Sequence, residues 1–176
     1  MTNLNDGIVG FGNLGRNVAR RWSGFNPTIL AYDPFVDDET VREHGATPAT
    51  LSDLLARADI VSLHARLTDD TRHMIDEDTL AQMGEEALLV NTARGGLADT
   101  DALVTALETG VIGGAALDVF EEEPIPDGHP LLALDDVWLS PHTAGSTRDA
   151  VYNGARIVAE DIATIVDGGE PSHRLD

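Results

Sequence analysis

Short apolar runs alternate with longer stretches in which apolar residues return every three or four positions. The short runs predict strands at 7–11, 28–32, 59–63, 87–91, 114–119 and 137–139. The longer pattern predicts helices over 13–22, 39–44, 51–57, 76–83, 100–109 and 146–167. Gly84, Gly110 and the pair Gly168-Gly169 stand where three of these helices should stop. In the last helix, Ile157, Val158, Ile162, Ile165 and Val166 recur on one side and predict a buried face. Strands alternating with helices read as βαβ units, and hence as an α/β fold: a doubly wound parallel-sheet Rossmann domain over 1–176, with about 170–176 a tail. The Pro-rich stretch 121–130 lies between two predicted strands and reads as a functional loop.

The first strand runs into Gly10-Phe11-Gly12-Asn13-Leu14-Gly15, and the second ends at Asp33, eighteen residues after Gly15. A GxGxxG turn alone is a weak signal, but between a strand and a helix, with an acid closing the next strand, it is a dinucleotide site. Gly10 permits the tight turn, Gly12 lets a pyrophosphate approach the backbone, and Gly15 lets helix and strand pack closely. The helix beginning near Asn13 and Leu14 would offer its free N–H groups to the phosphates. Asp33 is placed for the ribose hydroxyls, and its charge would repel a 2′-phosphate, so the expected cofactor is NAD.

Three further strand ends carry polar chemistry. Arg94 follows the strand ending at Asn91, Glu123 the one ending near Val119, and His142 the one ending at Leu139. In an open parallel sheet, ligands bind at this edge.

At this point the residues resemble a known family. Ile8-Val9-Gly10-Phe11-Gly12, His64-Ala65-Arg66-Leu67-Thr68, Asn91-Thr92-Ala93-Arg94-Gly95-Gly96, Ala116-Leu117-Asp118-Val119-Phe120 with Glu123-Pro124, and Ser140-Pro141-His142-Thr143-Ala144-Gly145 resemble, in order, the D-2-hydroxyacid dehydrogenase signatures. The last of these is most similar to the D-3-phosphoglycerate dehydrogenase branch, which would imply a place in serine biosynthesis. The resemblance implies that Arg94 holds the substrate carboxylate and carbonyl, a task suited to a planar fork of donors. It implies that His142 is the general acid/base and that Glu123 orients it and raises its pKa. Glu121 and Glu122 stand beside Glu123, which is singled out because it directly precedes Pro124. By the same resemblance, Asp118 lies near the nicotinamide amide, and Thr92, Ala93 and Ala144 line the nicotinamide site. His64, Arg66 and Thr71 belong to the loop over the adenosine half. The family commonly has proline where Arg66 stands; an arginine there would reach a phosphate or point into solvent.

Composition narrows the classes. Eleven basic residues, all arginine, face 31 acidic ones, for a net charge of −20. Such a surface repels nucleic acid. It suggests adaptation to a salt-rich, halophilic cytoplasm, or simply a GC-rich genome poor in lysine codons. There is no cysteine, which excludes disulfides and thiolate chemistry. His44, His73, His129 and His173 show no metal-ligand spacing and read as surface residues, so no metal is expected. No apolar run suggests a membrane span, and the first residues do not resemble a signal peptide, so a cytoplasmic setting is expected.

Family members carry a substrate-binding domain that would lie outside these 176 residues, so a cloned fragment or a short gene product is expected, binding NAD with little turnover. The expected partners are a small 2-hydroxy or 2-keto acid and a second copy in a homodimer, through the helix 100–109 and the loop 124–130. A non-catalytic NAD-sensing or scaffold module is the alternative; intact Arg94, Glu123 and His142 favour the enzyme.

Overall fold

The computed structural model describes residues 4–173, so Arg174 and the end of the predicted tail lie outside the described residues. The chain divides into two compact units, one ending at Pro141 and one beginning at His142.

In the first unit, seven strands form one sheet in the order β3-β2-β1-β4-β5-β6-β7. They are β1 (Asn5–Val9), β2 (Thr28–Tyr32), β3 (Thr47–Pro48), β4 (Ile60–Leu63), β5 (Leu88–Asn91), β6 (Gly114–Leu117) and β7 (Val137–Leu139), and every pairing is parallel. The helices are α1 (Asn13–Trp22), α2 (Asp38–Glu43), α3 (Leu51–Arg57), α4 (Glu77–Leu80) and α5 (Thr100–Glu108). The order reverses at β1, whose neighbours are β2 and β4. That reversal opens a crevice at the carboxyl edge.

Consecutive strand residues face opposite sides, and the core divides accordingly. Ile8, Ile29 and Ala31 join Phe11, Ala19, Val41 and Ala46 in one buried cluster. Val9, Leu30, Val61, Leu63 and Leu89 join the apolar faces of α3, α4 and α5 in the other. Gly7 is needed for this second layer, because a Cβ there would stand 2.5 Å from Leu54 Cδ2. Near the opposite end of β1, the buried Asp6 has its carboxyl pushed up from the usual range, by loss of solvent first and by Asp59 second.

Most predicted elements fall within a few residues of the observed ones. The strand predicted at 7–11 ends at Val9, which leaves Gly10 and Phe11 in the turn. The helix predicted at 76–83 shrinks to one turn, because Asp76 caps it and the chain turns away at Ala81. The two-residue β3 was not predicted; it is too short to carry a period.

The second unit is α6 (Arg148–Val166) with its flanking residues. Thr147 caps it by accepting the Ala150 N–H at 3.1 Å. The predicted buried face is corrected: α6 buries none of its residues, Val158, Ile162, Ile165 and Val166 are each more than half exposed, and Ile157 is half-buried. A helical period marks a face with something to bury, and does not by itself supply the layer that covers it. Beyond Gly168, the Ser172 and His173 N–H groups donate to the two Asp161 carboxylate oxygens at 2.9 and 3.1 Å. No helix is long and apolar enough, among the described residues, to cross a membrane.

Candidate active site

The carboxyl edge of the sheet carries polar groups in spatial order: Asp33 after β2, Gly10–Gly15 after β1, His64 after β4, Arg94 after β5, Asp118 and Glu123 after β6, and Ser140 after β7. The topology thus sets on one edge residues that are far apart in the chain.

α1 differs from the other five α-helices of the described residues. Asp37, Thr50, Asp76, Asp99 and Thr147 cap α2 to α6 with side-chain oxygens, and each of those helices has an acid in its first turn. The residue before α1 is Gly12, with no side-chain cap and no acid in the first turn. Among the α-helices of the described residues, that leaves one N-terminus with free N–H groups and its positive dipole end uncompensated. A Cβ on Gly12 would meet nothing within 4 Å, so the space over the turn is open. Its two neighbours are closed in. Gly10 has φ +92° and its Cβ would stand 2.5 Å from Ala65 N, while a Cβ on Gly15 would stand 2.2 Å from the Gly10 oxygen. Asn13 and Leu14 open the helix, and both are exposed.

Asp33 is half-buried, and its carboxylate is already engaged on one side. Oδ2 accepts the Phe11 N–H at 2.7 Å and Oδ1 the Phe35 N–H at 2.9 Å. Each oxygen keeps a further lone pair, so Asp33 both fixes the glycine turn and has acceptor capacity left for hydroxyls. These features fit a dinucleotide: an anion-binding helix start, an open approach and an acid at the second strand.

His64 closes the floor of the turn. Its N–H donates to the Val9 carbonyl at 2.7 Å, and its Nε2 shares a hydrogen bond with Ser62 Oγ at 2.9 Å. Nδ1 is buried without a partner, and burial pushes the imidazole down to about 4, so the ring is neutral near pH 7. Arg66 is exposed. Thr71 Oγ1 donates to the Arg66 carbonyl at 2.6 Å and accepts the Thr68 N–H at 2.8 Å, which staples the loop to itself.

After β5, the buried Asn91 shapes the turn to Arg94. Its Oδ1 accepts the Ala93 N–H at 3.1 Å and its Nδ2 donates to the Arg94 carbonyl at 3.0 Å. Thr92 is half-buried and Ala93 buried, whereas Arg94 is exposed and its Nη1 donates to the Ala93 carbonyl at 2.5 Å. Asp118 is buried; its N–H donates to the Asn91 carbonyl at 3.0 Å, and Ser140 Oγ donates to its Oδ1 at 2.5 Å. Glu123 is exposed, and its Oε1 accepts the Phe120 N–H at 3.0 Å.

The three neighbouring glutamates are not equivalent. Glu121 Oε2 accepts the Thr100 N–H at 3.1 Å, and Oε1 lies 2.7 Å from His73 Nε2. Burial would raise this carboxyl, but the hydrogen bonds from Thr100 and His73 outweigh it and hold it below the usual range. The surface reading of His73 is therefore corrected: it is half-buried and faces two carboxylates. His129 is also half-buried, and its Nδ1 accepts the Leu131 N–H at 3.2 Å. His44 and His173 are exposed, as expected.

In the second unit, His142 has φ +53°, a left-handed backbone uncommon for a residue with a β-carbon. Such outliers gather at functional sites. Ala144, two residues on, is exposed. Sequence reasoning missed the parts played by Asn91, Ser140, His73 and Glu121. A strand-end Asn was a legible signal for a side-chain-stapled turn; the His73–Glu121 pair, 48 residues apart, gave none.

The residues 1–144 match the model of the D-isomer specific 2-hydroxyacid dehydrogenase, NAD binding domain. The chain is 46% identical over 170 residues to the glyoxylate reductase of Korarchaeum cryptofilum, covering 97% of itself and 51% of that protein. It is 43% identical over 163 residues to the D-3-phosphoglycerate dehydrogenase of Methanocaldococcus jannaschii, covering 92% and 31%. It is similar in structure to the D-lactate dehydrogenase of Lactobacillus jensenii solved with NAD+, with a TM-score of 0.90, 32% identity, and coverage of 98% and 56%. The chain thus spans about half the length of the first of these relatives and about a third of the second.

Proposed function

The chain belongs to the D-isomer specific 2-hydroxyacid dehydrogenase family, as its NAD-binding domain, and on that premise we propose that it supplies the cofactor half of an enzyme acting on a small D-2-hydroxy acid or its 2-keto counterpart. The observation that carries the reading is the uncapped start of α1, which stands on the same sheet edge as Asp33, Arg94 and Asp118. NAD would supply the hydride acceptor. Gly10 to Gly15 hold its pyrophosphate and Asp33 its ribose hydroxyls, with His64, Arg66 and Thr71 in the loop beside the adenosine half. Thr92, Ala93, Asp118 and Ala144 serve the nicotinamide half, with Asp118 held in place by Ser140.

Arg94 binds the substrate carboxylate and carbonyl oxygen through its planar fork. His142 takes the hydroxyl proton in oxidation and returns it to the carbonyl oxygen in reduction. Glu123 orients the His142 ring for that task. Glycolate with glyoxylate, and D-3-phosphoglycerate with its keto acid, are the first substrates to try, since similar proteins bear both names.

We further assign the 1–176 chain to one functional domain, a cytoplasmic setting, a homodimer through α5 and the 124–130 loop, and salt adaptation. The charge of −20, whose self-repulsion salt would screen, supports the last. Because the chain spans only part of its relatives, slow turnover by this chain alone is part of the proposal. Calorimetry with NAD and NADP tests the binding reading: NAD is expected to bind at least tenfold more tightly than NADP, and the D33A variant to lose that preference. Equal affinities for the two cofactors in the native chain would overturn it.

A further inference from the structure

Three loops meet at His73. Its backbone has φ +53°, a conformation that a residue with a β-carbon keeps only where its surroundings hold it. Its N–H donates to the Gly96 carbonyl at 2.8 Å. Its Nε2 lies 2.7 Å from Glu121 Oε1 and its Nδ1 3.5 Å from Asp99 Oδ2, so the ring reaches a carboxylate from each nitrogen. Glu121 is fixed from its other side by the Thr100 N–H, in the first turn of α5. The His73 and Glu121 side chains are 37% and 31% exposed, enough shelter for the contact to hold a shape.

The segment held in this way is the one that approaches Arg94. A Cβ on Gly95 would stand 2.0 Å from the Phe120 carbonyl carbon and 2.4 Å from Glu121 N. The residue after Arg94 therefore packs backbone to backbone against residues just before Glu123. Phe120 closes the turn by donating its N–H to Glu123 Oε1.

We propose that His73 is a positioning residue: acting through Glu121, it clamps the turn from Phe120 to Pro124 on Gly95 and so sets Glu123 relative to Arg94. The proposal rests on the reading of Arg94 and Glu123 as substrate-side groups, and it assigns His73 a task that neither charge pattern nor spacing shows. The sequence places an ordinary histidine there; the fold places it between two carboxylates at a junction of loops.

The test uses the 15N-labelled chain with the variants H73A, H73N, E121A and E121Q. Asparagine at 73 tolerates the left-handed backbone, and glutamine at 121 retains an acceptor for the Thr100 N–H. In H73A and E121A, amide exchange at Thr100 and Phe120 is expected to quicken at least tenfold, and the signals of Arg94 to Gly96 to shift. The signals of Gly10 to Gly15 and the NAD affinity are expected to stay within twofold of the parent, and E121Q to recover most of the lost protection. Unchanged Phe120 and Arg94 signals in E121A would overturn the proposal. So would a disturbance spread evenly to Gly10–Gly15, which marks general loosening. If the alanine variants do not fold, H73N is expected to show the same quickened exchange at Thr100 and Phe120, and parent-like exchange and Arg94 signals in H73N would overturn the proposal. Oxamate titrated with NADH into the parent and R94A tests the parent reading separately, because it reports on Arg94 whatever holds the loops.

Discussion

The three glycines of the Gly10–Gly15 turn should fail in different ways when each is replaced by alanine. At Gly15 the new Cβ would stand 2.2 Å from a backbone oxygen, and the two backbones cannot both remain in place. Overpacking of this kind costs about 1–3 kcal/mol or more, and roughly 2–4 °C of melting temperature accompanies each kcal/mol in a chain of this size. G15A is therefore expected to melt about 5 °C or more below the parent. At Gly10 the Cβ would meet Ala65 N at 2.5 Å and the backbone is left-handed, so the two penalties add and G10A should be at least as damaged. At Gly12 a methyl group would meet nothing within 4 Å, and φ is an ordinary −71°. The loss of glycine as N-cap and the gain from a less flexible unfolded chain are each below about 1 kcal/mol and opposed. G12A should therefore melt within about 2 °C of the parent. The space it fills is the one through which a pyrophosphate would reach the N–H groups of α1, and the affinity for NAD should fall at least tenfold, about 1.4 kcal/mol. Differential scanning fluorimetry and calorimetry on the three variants make the comparison. If G12A binds NAD as the parent does, or melts as low as G15A, the assignment of the open space to the cofactor is wrong.

Three further outcomes follow from the charges. Asp6 has a folded pKa raised above its unfolded value, so its ionisation costs stability above the folded pKa and the cost fades as pH falls toward the unfolded value. D6N should need more urea to unfold than the parent at pH 7 and no more near pH 3.5; equal midpoints at pH 7 would refute this. His64, pushed down by burial to about 4, binds its proton in the unfolded chain first, so stability should decline as pH falls from about 6.5 toward 4, by roughly 3 kcal/mol in all. Its ring signals should not titrate between pH 6 and 8, and a midpoint near 6.5 would contradict the burial. Raising NaCl from 0.1 to 2 M shortens the screening length from about 10 Å to below about 3 Å. The melting temperature should rise by several degrees if the −20 charge is an adaptation to salt, and a flat or falling curve speaks against it.

Much of this molecule is legible in one dimension because its determinants are local. The period of Leu51–Arg57, the apolar run Thr28–Tyr32 and the glycines around Phe11 act through neighbouring backbone, and the observed elements α3 and β2 coincide with the predicted ones. The positions of Asp33 and Arg94 at strand ends follow from the same pattern, since a parallel sheet gathers its carboxyl ends on one edge. Asp118, by contrast, falls inside the strand predicted at 114–119 and stands after β6 only because that strand ends at Leu117. Sequence also determined the family, through five motifs in order, and with it the cofactor class.

Tertiary structure decided what depends on contacts between distant segments. The periodicity of α6 could not reveal that its apolar residues would remain exposed, because burial requires a second surface. Three glutamates in a row carry no label, yet Glu121 is bound to Thr100 and His73, whereas Glu123 accepts the Phe120 N–H. Composition offered no distinction between His73 and a solvated surface histidine. Periodicity and turn chemistry are properties of a few adjacent residues, whereas a hydrogen bond between positions 73 and 121 exists only after the chain has closed the loops between them.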